Sequence, residues 1–239
     1  MIDLYASPTP NVLKVRIMLE EVGLPYRLLP INVWKGDQFT DAFKALNPNS
    51  KVPVIVDADA EGGPCPVFES AAILIYLAEK TGRFLPAAGR ARTQVLQWLL
   101  FQAANQGPAS GQLVHFQRYA GPGNDYSLSR YKTEVKRLYD VLEGRLSGTP
   151  YLAGEDYSIA DMAALPWVLL FDRMFSEAIP FLKLDGDGGT ALARWVSRCR
   201  QRPAVERAIA LHAELKSDMP TATEDDRDRF FGRGAYAAR

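Results

Sequence analysis

Up to about residue 85 the spacing of apolar residues switches between the strand period of two and the helical period of 3.6; from residue 92 onward it is almost entirely helical. Residues 2–5 read as a strand. Residues 11–22 read as a helix with Val12, Val15, Leu19 and Val22 on one face. Gly23 suits the left-handed position that closes a helix, and Pro25 follows. A second strand is predicted over 26–32, a loop over 34–37 and a helical turn over 38–45. Asn47-Pro48-Asn49-Ser50 has the composition of a turn. Residues 52–56 and 66–68 then bracket a hairpin, and an apolar helix over 70–80 stops at Gly82. This order predicts an α/β domain over residues 1–85 and an all-helical domain over 92–215.

Within the helical half, Gly121-Pro122-Gly123 marks a loop, and Ser158-Ile159-Ala160-Asp161 has the form of a capping box at a helix start. Residues 216–239 mix five acidic and five basic residues without a clear apolar face, which predicts a C-terminal tail lying on the surface or on a partner.

Charge and cysteine usage narrow the function classes. The 28 Lys plus Arg balance 28 Asp plus Glu, so no net field draws the chain to nucleic acid or an anionic membrane. The best apolar run, 162–171, is about half the length of a bilayer crossing and contains Pro166. The first residues have neither the basic nor the apolar region of a secretion signal, which predicts a cytoplasmic protein. Cys65 and Cys199 form no Cys-x-x-Cys pair, and with two His in the chain they complete no zinc set; both are read as ordinary thiols. Residues 185–189 resemble the front of a calcium loop, but Val196 stands where the bidentate Glu belongs, so no metal is expected.

Three stations carry chemistry. At Val52-Pro53 the proline opens a strand: either it is a rigid strand start, or the bond is cis and exposes the Val52 backbone N–H and C=O to a ligand. Glu69-Ser70 joins a strand to a helix, bringing backbone N–H groups, a hydroxyl and the positive end of the helix dipole together. That suits a carboxylate, although a lone Ser there is more often a cap. In Ser7-Pro8-Thr9-Pro10-Asn11, Thr9 fits an N-cap and Pro10 the first helical position. The Thr9 hydroxyl or the backbone around Asn11 can stabilise a thiolate, or the segment is a plain capped helix.

In their order and spacing these stations resemble the thioredoxin-like domain of the cytosolic glutathione transferases, and Ser158–Asp161 is similar to that family's helical-domain folding motif. The resemblance covers about residues 1–212. Asp3-Leu4-Tyr5, Pro8-Thr9-Pro10-Asn11, Gly36-Asp37-Gln38-Phe39, Asn47 to Pro53 and Phe68-Glu69-Ser70 look like the nu class, which includes bacterial disulfide-bond reductases and is related to the fungal nitrogen-regulating prion. The resemblance implies an α/β plus all-α fold with glutathione as cosubstrate. Its cysteinyl backbone would pair with Val52 beside cis-Pro53, its γ-glutamyl end would meet Glu69 and Ser70, and Gln38 and Lys51 would help hold it. Thr9 and Asn11 would face the sulfur. It also implies a homodimer, and an Arg matching Arg130 that reaches a second glutathione, or glutathione disulfide, in the neighbouring subunit.

The implied reaction is disulfide reduction by bound glutathione thiolate without a protein cysteine, with weak transferase or peroxidase activity. Conventional conjugation of small hydrophobic electrophiles and a non-catalytic interaction module are the alternatives. His115 is read as a helix histidine that could line a cleft. Trp98, Phe101, Phe116 and Tyr119 suit either a hydrophobic second-substrate site or the core.

Overall fold

The computed structural model describes residues 1–175 and 189–237, so residues 185–188 of the calcium-like turn lie outside the described residues. The chain divides into two units, one of residues 1–73 with 207–239 and one of residues 74–206.

In the first unit β1 (Ile2–Ala6), α1 (Pro10–Val22) and β2 (Tyr26–Pro30) form a βαβ arrangement in which β1 and β2 are parallel. A 3₁₀ turn (Asp37–Phe39) and α2 (Asp41–Leu46) lead to the hairpin of β3 (Val54–Asp57) and β4 (Cys65–Phe68), and α3 (Ser70–Thr81) starts in this unit and runs into the second from residue 74. The sheet order is β2-β1-β3-β4, with β3 antiparallel to both of its neighbours. Alternation along β1 buries Ile2, Leu4 and Ala6; burying each of the two larger side chains is worth about 1.5–3 kcal/mol. Gly23 closes α1 at φ 72°, donating its N–H to Leu19 O at 3.0 Å. Sequence periodicity predicts one buried face for α1, but every residue from Val12 to Leu19 is buried, Lys14 and Arg16 included.

Residues beyond α9 (Pro203–Ala213) pack against this same unit. A short helix, α10 (Glu224–Phe231), is held by a capping box between Thr223 and Asp226. It stacks Phe230 on Trp34 at a centroid distance of 4.6 Å and sets Phe231 edge-on to the same indole at 6.1 Å. Lys35 pairs with Asp226 at 2.6 Å, and Asn32 donates to Asp218 at 2.5 Å. Lys35 and the Thr223 donors hold the Asp226 carboxyl down to about 2. Gly36 sits at φ 88° with the Arg229 side chain 3.1 Å from where a Cβ would stand, so a larger residue is opposed there by both backbone and space. The segment has a capped helix and an aromatic anchor that periodicity does not reveal, because its apolar content is two adjacent phenylalanines rather than a stripe.

The second unit is helical: α4 (Gly89–Phe101), a π-helical segment (Gln102–Gln106), α5 (Gly107–Arg118), α6 (Asp125–Leu146), α7 (Ile159–Phe175) and α8 (Ala191–Arg200). Side chains of α7 from Ile159 to Val168 are buried all round, as befits a central helix. Asp161, wholly buried in its first turn, accepts from Leu152 N, Ser158 N, Ser158 Oγ and Trp195 Nε1 at 2.8–3.1 Å. Glu143 of α6 accepts from the backbone N–H groups of Ala191 and Leu192, satisfying the start of α8. Among the described residues no helix is long and apolar enough to cross a membrane.

Candidate active site

Strand register places the three sequence stations at one end of the sheet. Tyr5 pairs with Val54 and Val54 with Phe68, so the C-terminal ends of β1 and β4 and the start of β3 lie side by side. Thr9 and Asn11 follow β1, Val52-Pro53 precedes β3, and Glu69-Ser70 follows β4. The C-terminal end of parallel strands, where helix N-termini gather, is the ordinary place for an anionic ligand.

Thr9 is the N-cap of α1, with extended backbone, and its Oγ1 accepts from Val12 N at 3.3 Å while Pro10 occupies the first helical turn. The cap uses the hydroxyl only as an acceptor, which leaves the O–H hydrogen to donate to an anion. Asn11 stands next to it, half-buried in the first turn. The Val52-Pro53 peptide is cis, which decides between the two readings the dipeptide leaves open in sequence. Val52 is half-buried, Pro53 buried and Lys51 exposed, with the Lys51 ammonium 5.9 Å from the centre of the Phe230 ring. Gln38 is buried, donating through Nε2 to Val33 O at 3.0 Å, and its Oε1 has no donor within the described residues.

Glu69 adopts a left-handed backbone, φ 68°, immediately before α3. Non-glycine residues held there concentrate at ligand sites, where surrounding contacts hold the strain. Here the contacts form a chain. Asn49 Nδ2 donates to Glu69 at 3.1 Å, Asn47 Oδ1 accepts from Asn49 N at 2.9 Å, and Asn47 Nδ2 donates to Lys51 O at 2.7 Å. The Asn47-to-Ser50 turn thus fixes the backbone leading into Val52 and, through Asn49, the acid at the head of α3.

Sequence reasoning misses Lys14. It is 2% exposed, and its Nζ donates to Ser70 Oγ at 3.3 Å. Burial pushes its ammonium down to about 7, against the opposing pull of the Glu69 charge. The available signal was a lysine inside the apolar run Val12-Leu13-Lys14-Val15, one turn into a helix whose neighbours are all core residues.

The remaining candidates lie elsewhere. Arg130, on α6, has a side chain 57% exposed and 3.6 Å from Glu134. His115 and Phe116 of α5 are edge-on at 5.4 Å, and Phe116 stacks on Tyr131 of α6 at 5.5 Å. Cys65 pairs with Asp57 at the far end of the β3–β4 hairpin, three residues or about 10 Å from Phe68. Cys199 is completely buried in the second unit. Both are free thiols. No group of three His, Cys, Asp or Glu side chains capable of holding a metal occurs among the described residues.

Comparison with known proteins agrees over nearly the whole chain. Residues 9–80 match the model for the glutathione S-transferase N-terminal domain, and residues 122–203 the model for the C-terminal domain. The chain is 46% identical over 217 residues to the disulfide-bond oxidoreductase YfcG of Escherichia coli, covering 90% of this chain and 97% of that protein. It is 37% identical to the E. coli disulfide-bond oxidoreductase YghU, covering 95% and 84% respectively. Among solved structures, a Pseudomonas fluorescens glutathione transferase family member with two glutathiones bound superimposes with a TM-score of 0.80 at 41% identity, covering 87% of this chain and 92% of that one. A Pseudomonas putida glutathione transferase with one glutathione disulfide bound per subunit gives 0.80 at 39% identity, covering 87% and 90%.

Proposed function

This chain belongs to the glutathione S-transferase family, and from that premise we propose that it is a glutathione-dependent disulfide-bond oxidoreductase whose nucleophile is the thiolate of bound glutathione. The observation that carries the reading is the composition of the sheet end: a hydroxyl at a helix start, a cis-proline and a Glu-Ser pair stand together, while Cys65, the cysteine of this unit, occupies the opposite end of its strand. The relatives named as disulfide-bond oxidoreductases give the reaction class.

In this reading glutathione lies along the Val52 edge, with its γ-glutamyl carboxylate at Ser70 and its amino group toward Glu69. The Gln38 Oε1 offers a buried acceptor to a ligand N–H, and Lys51 a cation at the rim. Thr9 and Asn11 donate to sulfur, and the start of α1 favours the anion. The thiolate attacks one sulfur of a small disulfide; a glutathione–sulfur bond forms, and the departing sulfur leaves with the electron pair and takes a proton from solvent. A second glutathione thiolate attacks the mixed disulfide, releasing the second thiol and glutathione disulfide. Two glutathiones are oxidised for each disulfide reduced. We further propose that the enzyme works as a homodimer in the cytoplasm, a compartment that keeps thiols reduced, with exposed Arg130 reaching a second glutathione in the neighbouring subunit.

Glutathione-coupled reduction of a small model disulfide, run beside a conjugation assay, tests the reading. Disulfide turnover well above conjugation supports it; conjugation alone would replace it with a conventional transferase. Replacing both Cys65 and Cys199 with Ala is expected to leave the reduction rate within about twofold, and a tenfold loss in a folded variant rejects a cysteine-free mechanism.

Thr9→Ala isolates the sulfur contact. A lost hydrogen bond to an anion, about 1.5–3 kcal/mol, raises the bound thiol pKa by roughly one to two units. Because a more basic thiolate is also more nucleophilic, the rate at pH 7 is expected to fall only about 3- to 12-fold. At high pH, where both thiols are ionised, the variant becomes the faster enzyme. Parallel pH–rate profiles that never cross count against Thr9 as the donor.

A further inference from the structure

We propose that Lys14 is a positioning residue that senses, through Ser70, the negative charge at the γ-glutamyl end of glutathione, so that glutathione binds with uptake of a proton. The proposal rests on the glutathione reading above and adds to it a residue and a linkage.

A lysine inside a helix packed on all sides is an expensive arrangement unless the charge has a use. Lys14 is 2% exposed, and its ammonium donates to the hydroxyl of the first residue of α3. It therefore orients that hydroxyl: with Nζ donating to Ser70 Oγ, the serine hydrogen is turned outward, toward whatever anion occupies the head of the helix. The charged group acting on Lys14 across this site is Glu69, which is itself held by Asn49. The 47–49 turn contributes only neutral residues beside it, and on α1 the cation Arg16 donates to the Tyr26 hydroxyl. The γ-glutamyl end brings both a carboxylate, to Ser70, and an ammonium, to Glu69; the carboxylate meets the hydroxyl that Lys14 itself contacts and is the nearer of the two, so toward a lysine that titrates near neutrality the ligand acts as negative charge.

The direction of the linkage follows. An anion at Ser70 raises the Lys14 pKa above its ligand-free value of about 7. The extra affinity is therefore complete below pH 7 and disappears as pH rises through the higher, ligand-bound value. An opposite charge within about 4–6 Å moves a pKa by one unit or more, so the loss of affinity from pH 6 to 9 is expected to be at least about tenfold.

The probe is S-methylglutathione, whose blocked sulfur cannot release a proton of its own. Calorimetric titration at pH 7.5 in two buffers of different ionisation enthalpy counts the protons. Wild type is expected to take up about half a proton or more per site, and Lys14→Met none beyond the ligand's own share. Over pH 6–9 the affinity of wild type should fall about tenfold more than that of Lys14→Met. Lysine-selective ¹³Cε NMR of the wild type gives a second reading that needs no variant: one lysine titrating near neutrality should move to higher pH when the ligand is added. Tight binding without proton uptake, or a lysine unmoved by ligand, overturns the proposal while leaving the glutathione site intact. A folded wild type that binds no S-methylglutathione at any pH rejects the glutathione reading itself, and this proposal with it.

Discussion

Asp161→Ala is expected to lower the unfolding free energy by about 3–5 kcal/mol, the largest stability loss from a single side chain foreseen for this chain. The carboxylate is wholly buried and accepts four hydrogen bonds from three separate places: the Leu152 backbone, Ser158 at the start of α7, and the Trp195 indole on α8. Alanine leaves all four donors facing a void that is closed to bulk water. Each orphaned donor costs about 1–3 kcal/mol, but the terms do not add in full, because removing the acid also removes its own desolvation penalty, which already raises the Asp161 pKa. At roughly 2–4 °C per kcal/mol for a chain of this size, the melting temperature should fall by about 6–20 °C. Urea denaturation gives the free energy directly. A loss below about 1 kcal/mol would mean that the four hydrogen bonds are replaceable and that α7 and α8 do not depend on the acid.

Ser70→Ala should weaken binding of S-methylglutathione by roughly 5- to 150-fold, the equivalent of one charge-assisted hydrogen bond of about 1–3 kcal/mol. Helix α3 itself should be little affected, because alanine is a good helix former and the substitution falls at the first helical residue. In the proposed placement the lost bond reaches the carboxylate end of glutathione, remote from the sulfur, and is the same before and during thiol attack. Apparent KM should therefore rise while kcat at saturation stays within about twofold. A fall in kcat at unchanged KM would move Ser70 out of the binding role and place it near the sulfur. The substitution also removes the group through which Lys14 acts, so the proton uptake of wild type should vanish with it.

The fold was legible because its signals are repeated and local. The alternation in β1, the 3.6 spacing of α1, Gly23 at the end of that helix and the Asp161 capping motif each report a structural fact within a dozen residues. The gathering of the candidate residues at one end of the sheet was legible for a different reason. Thr9, Pro53 and Ser70 sit at junctions, where residue type is chosen by backbone demands that a sequence exposes. What stayed hidden depends on pairs far apart in the chain. Lys14 meets Ser70 across 56 positions, and Trp34 meets Phe230 across nearly two hundred. No local period records either. Gln38 illustrates a subtler gap: the family resemblance pointed it to a ligand, but did not tell that one end of its amide is spent on Val33 O and the other left open.

The return of residues 207–239 to the first unit has a consequence for how the protein is made. During synthesis the sheet and its site emerge early, but Trp34 must wait for Phe230 and Phe231, which leave the ribosome on the order of ten seconds later at ordinary elongation rates. Until then an indole destined for burial stays open to chaperones, and the loop that holds Lys35, Gly36 and Gln38 lacks its outer wall. The nascent chain thus completes its sheet-bearing unit after the helical unit that lies between its two parts.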